Sequence, residues 1–285
     1  MNGPVARWPE GRRAAVSITF DNLGEAAEIE LGIRPVEQLG DHYSVTNCLP
    51  IVLELLAETG LPATFFVEGL NAEVYPEALK RISDAGHELA YHAWRHEDWS
   101  SLTPEDERAN IARGVAAFRS IGIEPTGFRP PGGLLNEGTL TRLSEHGFEY
   151  CSPAGERAGI DTLALLPFAW PAVDAYHVLP TFAALRRHIA GSEAEGGPEA
   201  VRDSLIDAIE NAVELGAFSS LVLHTWMIEL ELEAVRDILS RVRRGVEGGE
   251  ICAARCSELA AWISSHRRDF AGATRLDSTS WMEPA

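Results

Sequence analysis

The chain predicts an α/β fold built on a parallel sheet, either a closed barrel or an open doubly wound sheet. Two observations carry that prediction. Short apolar, β-branched stretches alternate with helix-period stretches along most of the 285 residues. Four of the strand-like stretches also end in an ionisable side chain: Asp21, His92, Arg129 and His224. In both architectures ligands bind at the carboxyl ends of the strands. Four such ends therefore predict one shared pocket.

Taken in order, residues 14–20 (AAVSITF) read as a buried strand that stops at Asp21-Asn22. A stretch of little periodicity follows to Asn47 and predicts a loop. Residues 49–59 have helical apolar spacing, with Gly60 as the stop, and residues 63–67 (ATFFV) read as the second strand. A helix over 75–85 closes at Gly86, and a short strand then runs into His92. Thr103-Pro104-Glu105-Asp106 is a helix start: a threonine N-cap, proline at the first position, and acids in the first turn. That helix extends to about Ser120. Residues 127–129 form a short strand entering Pro130-Pro131-Gly132-Gly133, and Asn136 is placed to cap a helix to Glu145. Residues 148–151 read as another strand, and 163–179 alternate apolar runs with prolines. Residues 191–198 are a polar surface loop, 201–215 a helix, and 220–223 a strand ending at His224. An amphipathic, charge-alternating helix over 229–243 presents a solvated face. A last strand (251–254) and helix (256–268) precede a tail. The domain reading is thus a lead-in at 1–13, one domain at 14–268 and a flexible tail at 269–285.

Composition narrows the partners. A formal net charge of −19 disfavours nucleic acid, anionic lipid and polyanionic substrates, because the average surface repels them. No run approaches a membrane span. Residues 1–20 hold no apolar stretch of secretion-signal length, so a cytoplasmic location is expected. Cys48, Cys151, Cys252 and Cys256 are scattered and read as ordinary thiols. Homo-oligomerisation stays open.

His92 and His96 lie four apart, a spacing that lets two imidazoles face one metal ion from a helical turn or a tight loop. An oxygen from Asp21 or Asn22 would complete three protein ligands and leave a fourth position for water. A nearby carboxylate could then take the water's proton, and a histidine could protonate a leaving amine. Gly132 and Gly133 free the backbone to approach an oxyanion. The chemistry this suggests is hydrolysis of an amide or ester carbonyl.

These residues resemble the polysaccharide deacetylase superfamily (carbohydrate esterase family 4, the NodB-homology domain). The matching stretches are Thr19-Phe20-Asp21-Asn22, His92 to His96 (HAWRH), Phe128 to Gly132 (FRPPG), Trp170 to Asp174 (WPAVD) and Leu223-His224, with Pro62 to Phe66 (PATFF) as a recurrent strand. They stand in the family's order, and the likeness is strongest to the branch of atypical peptidoglycan deacetylases and allantoinases. The resemblance implies a distorted (β/α) barrel of about seven parallel strands. It implies a divalent metal, zinc foremost with cobalt, nickel or manganese as alternatives, held by His92 and His96. It casts Asp21 as general base and His224 as general acid. Arg129 would pair with Asp21 and hold it ionised, Asp174 would orient His224, and Trp170 would wall the pocket. The family's second, metal-binding aspartate is replaced: Asn22 and then Leu23 follow the base. Asn22 offers a neutral carbonyl oxygen in its place, with Asp21 itself or Glu25 as alternatives. Thr225 stands where a proline usually follows the last histidine.

The expected activity is therefore metal-dependent hydrolysis of a carbon–nitrogen bond, deacetylating or deformylating a small N-acyl, sugar-like compound. A metal-independent cyclic amide hydrolase of the allantoinase type and a non-catalytic binding protein are the alternatives, since Asn22 weakens the metal set. Asp21, His92, His96, Arg129 and His224 together favour an enzyme.

Overall fold

The structure, a computed structural model, describes residues 7–279. In chain order its strands are β1 (Ala14–Asp21), β2 (Ala63–Val67), β3 (Glu88–Tyr91), β4 (Gly127–Phe128), β5 (Tyr150–Cys151), β6 (Gly155–Glu156), β7 (Gly159–Ile160), β8 (Ala164–Leu165), β9 (Phe218–His224), β10 (Ile251–Ala253) and β11 (Arg275–Leu276). β1 is flanked on one side by β9 and on the other by β2, with β10 beside its first residues, all in parallel. From β2 the sheet continues in parallel through β3, β4, β5 and β8, and ends on antiparallel β7. The result is a curled half-barrel, the distorted barrel the family resemblance implies. The segment after β8 runs from the β8 end of the sheet toward β9. It touches both sides through single bridges, Ala154 to Phe168 and Val173 to Val222.

Strand alternation explains how this sheet is packed. On β1 the residues Ala14, Val16, Ile18 and Phe20 join the large apolar core under the helices. Ala15, Ser17, Thr19 and Asp21 point the other way, into the curl, where β2 contributes Thr64 and Phe66, β3 Ala90, and β5 Tyr150. Both faces are buried, so β1 reads as a continuous buried run instead of an amphipathic one. The inner layer is tight. A Cβ on Gly127 would fall 1.9 Å from the Tyr150 ring, so the tyrosine crosses the curl only because β4 begins with glycine. Helix Pro198–Leu215 covers β1 and β9 on the outside, and helix Ile228–Glu247 packs against it and against β10.

Several local expectations change. The stretch after β1 carries a short helix, Ala26–Glu30, and a π-helical turn, Ser44–Cys48. Its order comes from side chains gripping backbone: Glu25 accepts from Gly40 and Asp41, and Ser44 from Gly24. Such pairings leave no periodic trace. Asn136 does not cap the helix Thr139–Glu145; Gly138 does. The Asn136 amide instead donates to the Trp99 carbonyl at 2.7 Å and to buried Glu107 at 2.8 Å, tying two loops to the helix Pro104–Ser120. The helix Ile228–Glu247 is longer than its charge pattern suggests and buries one face, including Val235, Ile238 and Val242. The stretch from 269, expected as a flexible tail, is paired as far as it is described: β11 runs antiparallel to β6, and Ala271 bridges Ile160. Residues 280–285 and most of the lead-in, 1–6, lie outside the described residues. Among the described residues, no helix is long and apolar enough to cross a membrane.

Candidate active site

The four strand-end residues do meet. β1 ends at Asp21, β9 at His224, and His92 and Arg129 each lie one residue past β3 and β4. The register places Asp21 beside His224 and Phe66. Arg129 is 1% exposed and fills the middle of the curl. Its Nη1 donates to Asp21 Oδ1 at 2.6 Å and to Thr19 Oγ1 at 2.9 Å. Its Nη2 donates to Ser152 and Ser220, both at 3.0 Å, and its Nε to Ser152 at 3.2 Å. The guanidinium lies 4.0 Å from the centre of the Phe66 ring, a cation–π contact. Every N–H is satisfied, which a buried cation requires. Asp21 is thereby left with one oxygen, Oδ2, facing the histidines, 4.0 Å from His92 Nε2.

His92 Nδ1 is 2.8 Å from the Arg129 carbonyl oxygen, which only accepts, so Nδ1 carries the proton and Nε2 keeps its lone pair. Burial pushes His92 down to about 3, helped by the charges of Arg129 and His224 and opposed by that hydrogen bond. Burial, with His92 and His224 nearby, takes His96 to about 3 as well. Both rings are neutral at physiological pH, the form that binds a metal. Their centroids are 4.9 Å apart on a tight loop, not a helix. That loop is held in an uncommon shape: Ala93 has φ 62° and His96 φ 71°. Glu97 holds it by accepting from the backbone N–H of Trp94 at 3.0 Å and of Arg95 at 2.9 Å.

On the other side, Asp174 is fully buried and grips His224 twice. Its Oδ1 accepts from His224 Nδ1 at 2.5 Å and its Oδ2 from the His224 backbone N–H at 2.6 Å. Burial alone would lower the His224 pKa. The charge and hydrogen bond of Asp174, aided by Asp21 and Glu231, outweigh that and raise it above the ordinary 6.5. His224 can therefore carry a proton at Nε2 while Asp174 orients the ring.

Three other candidates are placed differently. Gly133, at φ 79°, donates its N–H to the Pro130 carbonyl at 2.9 Å. The turn thus uses the N–H that would have met an oxyanion, leaving Gly132 of the pair. Trp170 is packed between Phe168 and Phe182, a core position one ring removed from Arg129. Glu25 accepts from Tyr75 Oη at 2.6 Å as well as from the 40–41 backbone, so that oxygen serves the loop after β1.

Composition alone gave no signal for several members. Thr19, Ser152 and Ser220 are common residues whose role appears only when Arg129 reaches them. Glu68 directly follows β2 and faces inward by alternation with Phe66; the strand-end rule that found Asp21 would also have found it. It is fully buried, and burial pushes it up to about 8. Glu231, 2% exposed and beside Asp174 and His224, is likewise raised by burial to about 8.

Whether a divalent metal fits can be tested on these atoms. His92 Nε2 offers a lone pair, and Asn22 Oδ1 is buried without a hydrogen-bond partner. Asn22 adopts φ 56°, the left-handed conformation asparagine tolerates. Two imidazole nitrogens and an amide oxygen suit a borderline cation such as zinc. Among the described residues no three His, Cys, Asp or Glu side chains form a metal cluster. The unpartnered Asn22 Oδ1 is the neutral candidate for the third position, beside Asp21 Oδ2, 4.0 Å from His92 Nε2, and the unpartnered Glu25 Oε2. The four cysteines are free, and burial raises the thiols of Cys48, Cys151, Cys252 and Cys256.

Compared with known proteins, residues 9–151, half of the chain, match the sequence profile of the family described as polysaccharide deacetylase. A peptidoglycan deacetylase of Helicobacter pylori is 34% identical over 103 residues, 36% of this chain and 35% of that protein. A peptidoglycan-N-acetylglucosamine deacetylase of Bacillus cereus is 33% identical over 100 residues, 35% of this chain and 47% of that one. The chain thus spans about a third to a half of the length of these curated relatives. Among solved structures, a polysaccharide-deacetylase-like protein of Mycobacterium smegmatis superposes with TM-score 0.78 at 24% identity, covering 98% of both chains. Puue allantoinase superposes with TM-score 0.70 at 18% identity, over 93% of this chain and 95% of that one. At these identities the likeness is one of fold.

Proposed function

Because the chain belongs to the polysaccharide deacetylase family, we propose that it hydrolyses the amide of an N-acylated, sugar-like compound, releasing a carboxylic acid and a free amine. The observation that carries this reading is the pairing of two groups at the neighbouring ends of β1 and β9, each with one atom tied and one free. Asp21 has one oxygen tied to Arg129 and one free, and His224 has one nitrogen tied to Asp174 and one free. A base and an acid within reach of one amide are what its hydrolysis needs.

Asp21 Oδ2 takes a proton from water as the water oxygen bonds to the acyl carbon. Arg129 holds that carboxylate in place and balances its charge. As the carbon–nitrogen bond breaks, His224 Nε2 gives its proton to the departing amine, and Asp174 stabilises the imidazolium before the transfer. His92 and His96, with Asn22, would hold a divalent cation, zinc being the first candidate. When bound, that cation supplies Lewis acidity, polarising the carbonyl and acidifying water. The Bacillus cereus and Helicobacter pylori relatives are named for peptidoglycan, which supports an N-acetylated amino sugar as the substrate class; a small compound is the form proposed here.

Asn22 favours a second reading, a metal-independent hydrolase of cyclic amides, because it removes a charge from the cation's surroundings. One assay separates the two. Zinc-loaded and chelator-treated protein are offered N-acetylated chitooligosaccharides and a cyclic ureide, and free amine and carboxylate are measured. Acyl release that needs metal and is abolished by His92→Ala, but not by His87→Ala, supports the first reading. Ring opening that survives chelation supports the second. Equal loss in both variants would refute the site.

A further inference from the structure

Glu68 has no part in the scheme above, yet it sits at its edge. One of its oxygens, Oε2, accepts from the Leu23 N–H at 3.3 Å and from Asn71 Nδ2 at 3.0 Å. The same Asn71 amide nitrogen donates to the Leu23 carbonyl at 2.5 Å. Leu23 is therefore gripped at both its N–H and its C=O. The grip is close: at Gly24, φ 70°, an added Cβ would fall 2.5 Å from Asn71 Oδ1. Leu23 directly follows Asn22, whose left-handed backbone must be held by its surroundings and whose amide oxygen is buried without a partner.

We propose that Glu68, acting with Asn71, is a positioning residue that clamps the Leu23 peptide and so aims the Asn22 amide oxygen at the cation held by His92 and His96. The inference rests on reading those three residues as the cation site. It explains how a neutral oxygen can serve where the family pattern has a carboxylate. The side chain is fixed in advance, so no ordering is needed when the cation arrives. It also assigns a role to a buried carboxyl at the end of β2.

The test is calorimetric titration of Zn2+ alone into the full chain after chelator treatment. Glu68→Gln keeps an oxygen for the Leu23 N–H and should bind with unchanged affinity. Glu68→Ala should lose about 10- to 100-fold, the usual effect of removing a group that orients a ligand. Asn22→Ala should lose a similar amount. The Glu68→Ala/Asn22→Ala pair should bind no worse than Asn22→Ala, because both act through one oxygen. Asn71→Ala removes part of the clamp and should give a smaller loss, which covers the case in which Glu68→Ala does not fold. Affinity unchanged in Glu68→Ala, or in Asn71→Ala when Glu68→Ala does not fold, would overturn the proposal. So would additive losses, or Glu68→Gln binding as poorly as Glu68→Ala, which would make Glu68 a ligand itself. No Zn2+ binding by the parent would overturn it too. Acyl release is measured separately, so the proposed reaction can fail while the clamp stands.

Discussion

Arg129 uses five hydrogen bonds to join β1, β9 and the residue after β5 around Asp21. Removing it leaves a buried aspartate unpaired. Arg129→Met should therefore destabilise the protein by about 3–5 kcal/mol in urea unfolding, far more than a surface ion pair. Asp174 offers a cleaner functional test. Its charge raises the His224 pKa, and His224 must be protonated to act as an acid. Asp174→Ala should move the alkaline limb of the kcat/KM profile to lower pH; an unmoved limb would remove Asp174 from the acid's environment. Asn22→Asp adds a negative charge beside the cation and should tighten Zn2+ binding, measured by competition with a chelator. Arg129, Asp21 and His224 were legible because each ends an apolar strand. Their partners were not: Thr19 and Ser220 lie 110 and 91 residues from Arg129, and a serine or threonine says nothing of such a distant bond.

Among elements, the helix Pro104–Ser120 shows what local sequence encodes well. Thr103 accepts from the Asp106 N–H at 3.2 Å and sits before a proline and three acids. Thr103→Ala should cost about 1 kcal/mol of stability and leave Zn2+ affinity unchanged. The histidine loop is the opposite case. The spacing of His92 and His96 was readable, but its tight-loop form depends on Glu97 reaching back to two backbone N–H groups and on left-handed Ala93. No periodicity records that. The same holds for the stretch after β1, which looked structureless because Glu25 and Ser44 order it through side chains and no ladder does.

For the whole molecule, alternating strands and helices were enough to give a parallel α/β fold, while the choice of a curled half-barrel rested on the family resemblance. What could not be read was closure, since single bridges at Val173 and Phe168 carry it across the open edge. The polar interior has a consequence for stability. Glu68 is held near 8 in the folded chain against 4.5 ordinarily, so between those values the folded state keeps a proton that the unfolded chain releases. That costs about 1.4 kcal/mol per pH unit as pH rises through the window. His92 and His96, near 3 against 6.5, act in the other direction: their contribution is lost as pH falls from 6.5 toward 3. Glu68→Gln should flatten the fall in melting temperature between pH 6.5 and 8 and leave the acid side as it is. An identical pH dependence would show that Glu68 is not protonated in the folded state.

The most direct test of the central claim, that Asp21 and His224 act together as base and acid on one amide, is acetate release from N-acetylated chitooligosaccharides by the zinc-loaded chain and its Asp21→Asn and His224→Ala variants. The expected result is acetate and free amine in equal amounts from the parent, with kcat lowered about 100-fold or more in each variant, the scale of a lost general base or acid. Acetate release that persists undiminished in Asp21→Asn, or none from the parent on any N-acyl substrate, would contradict it.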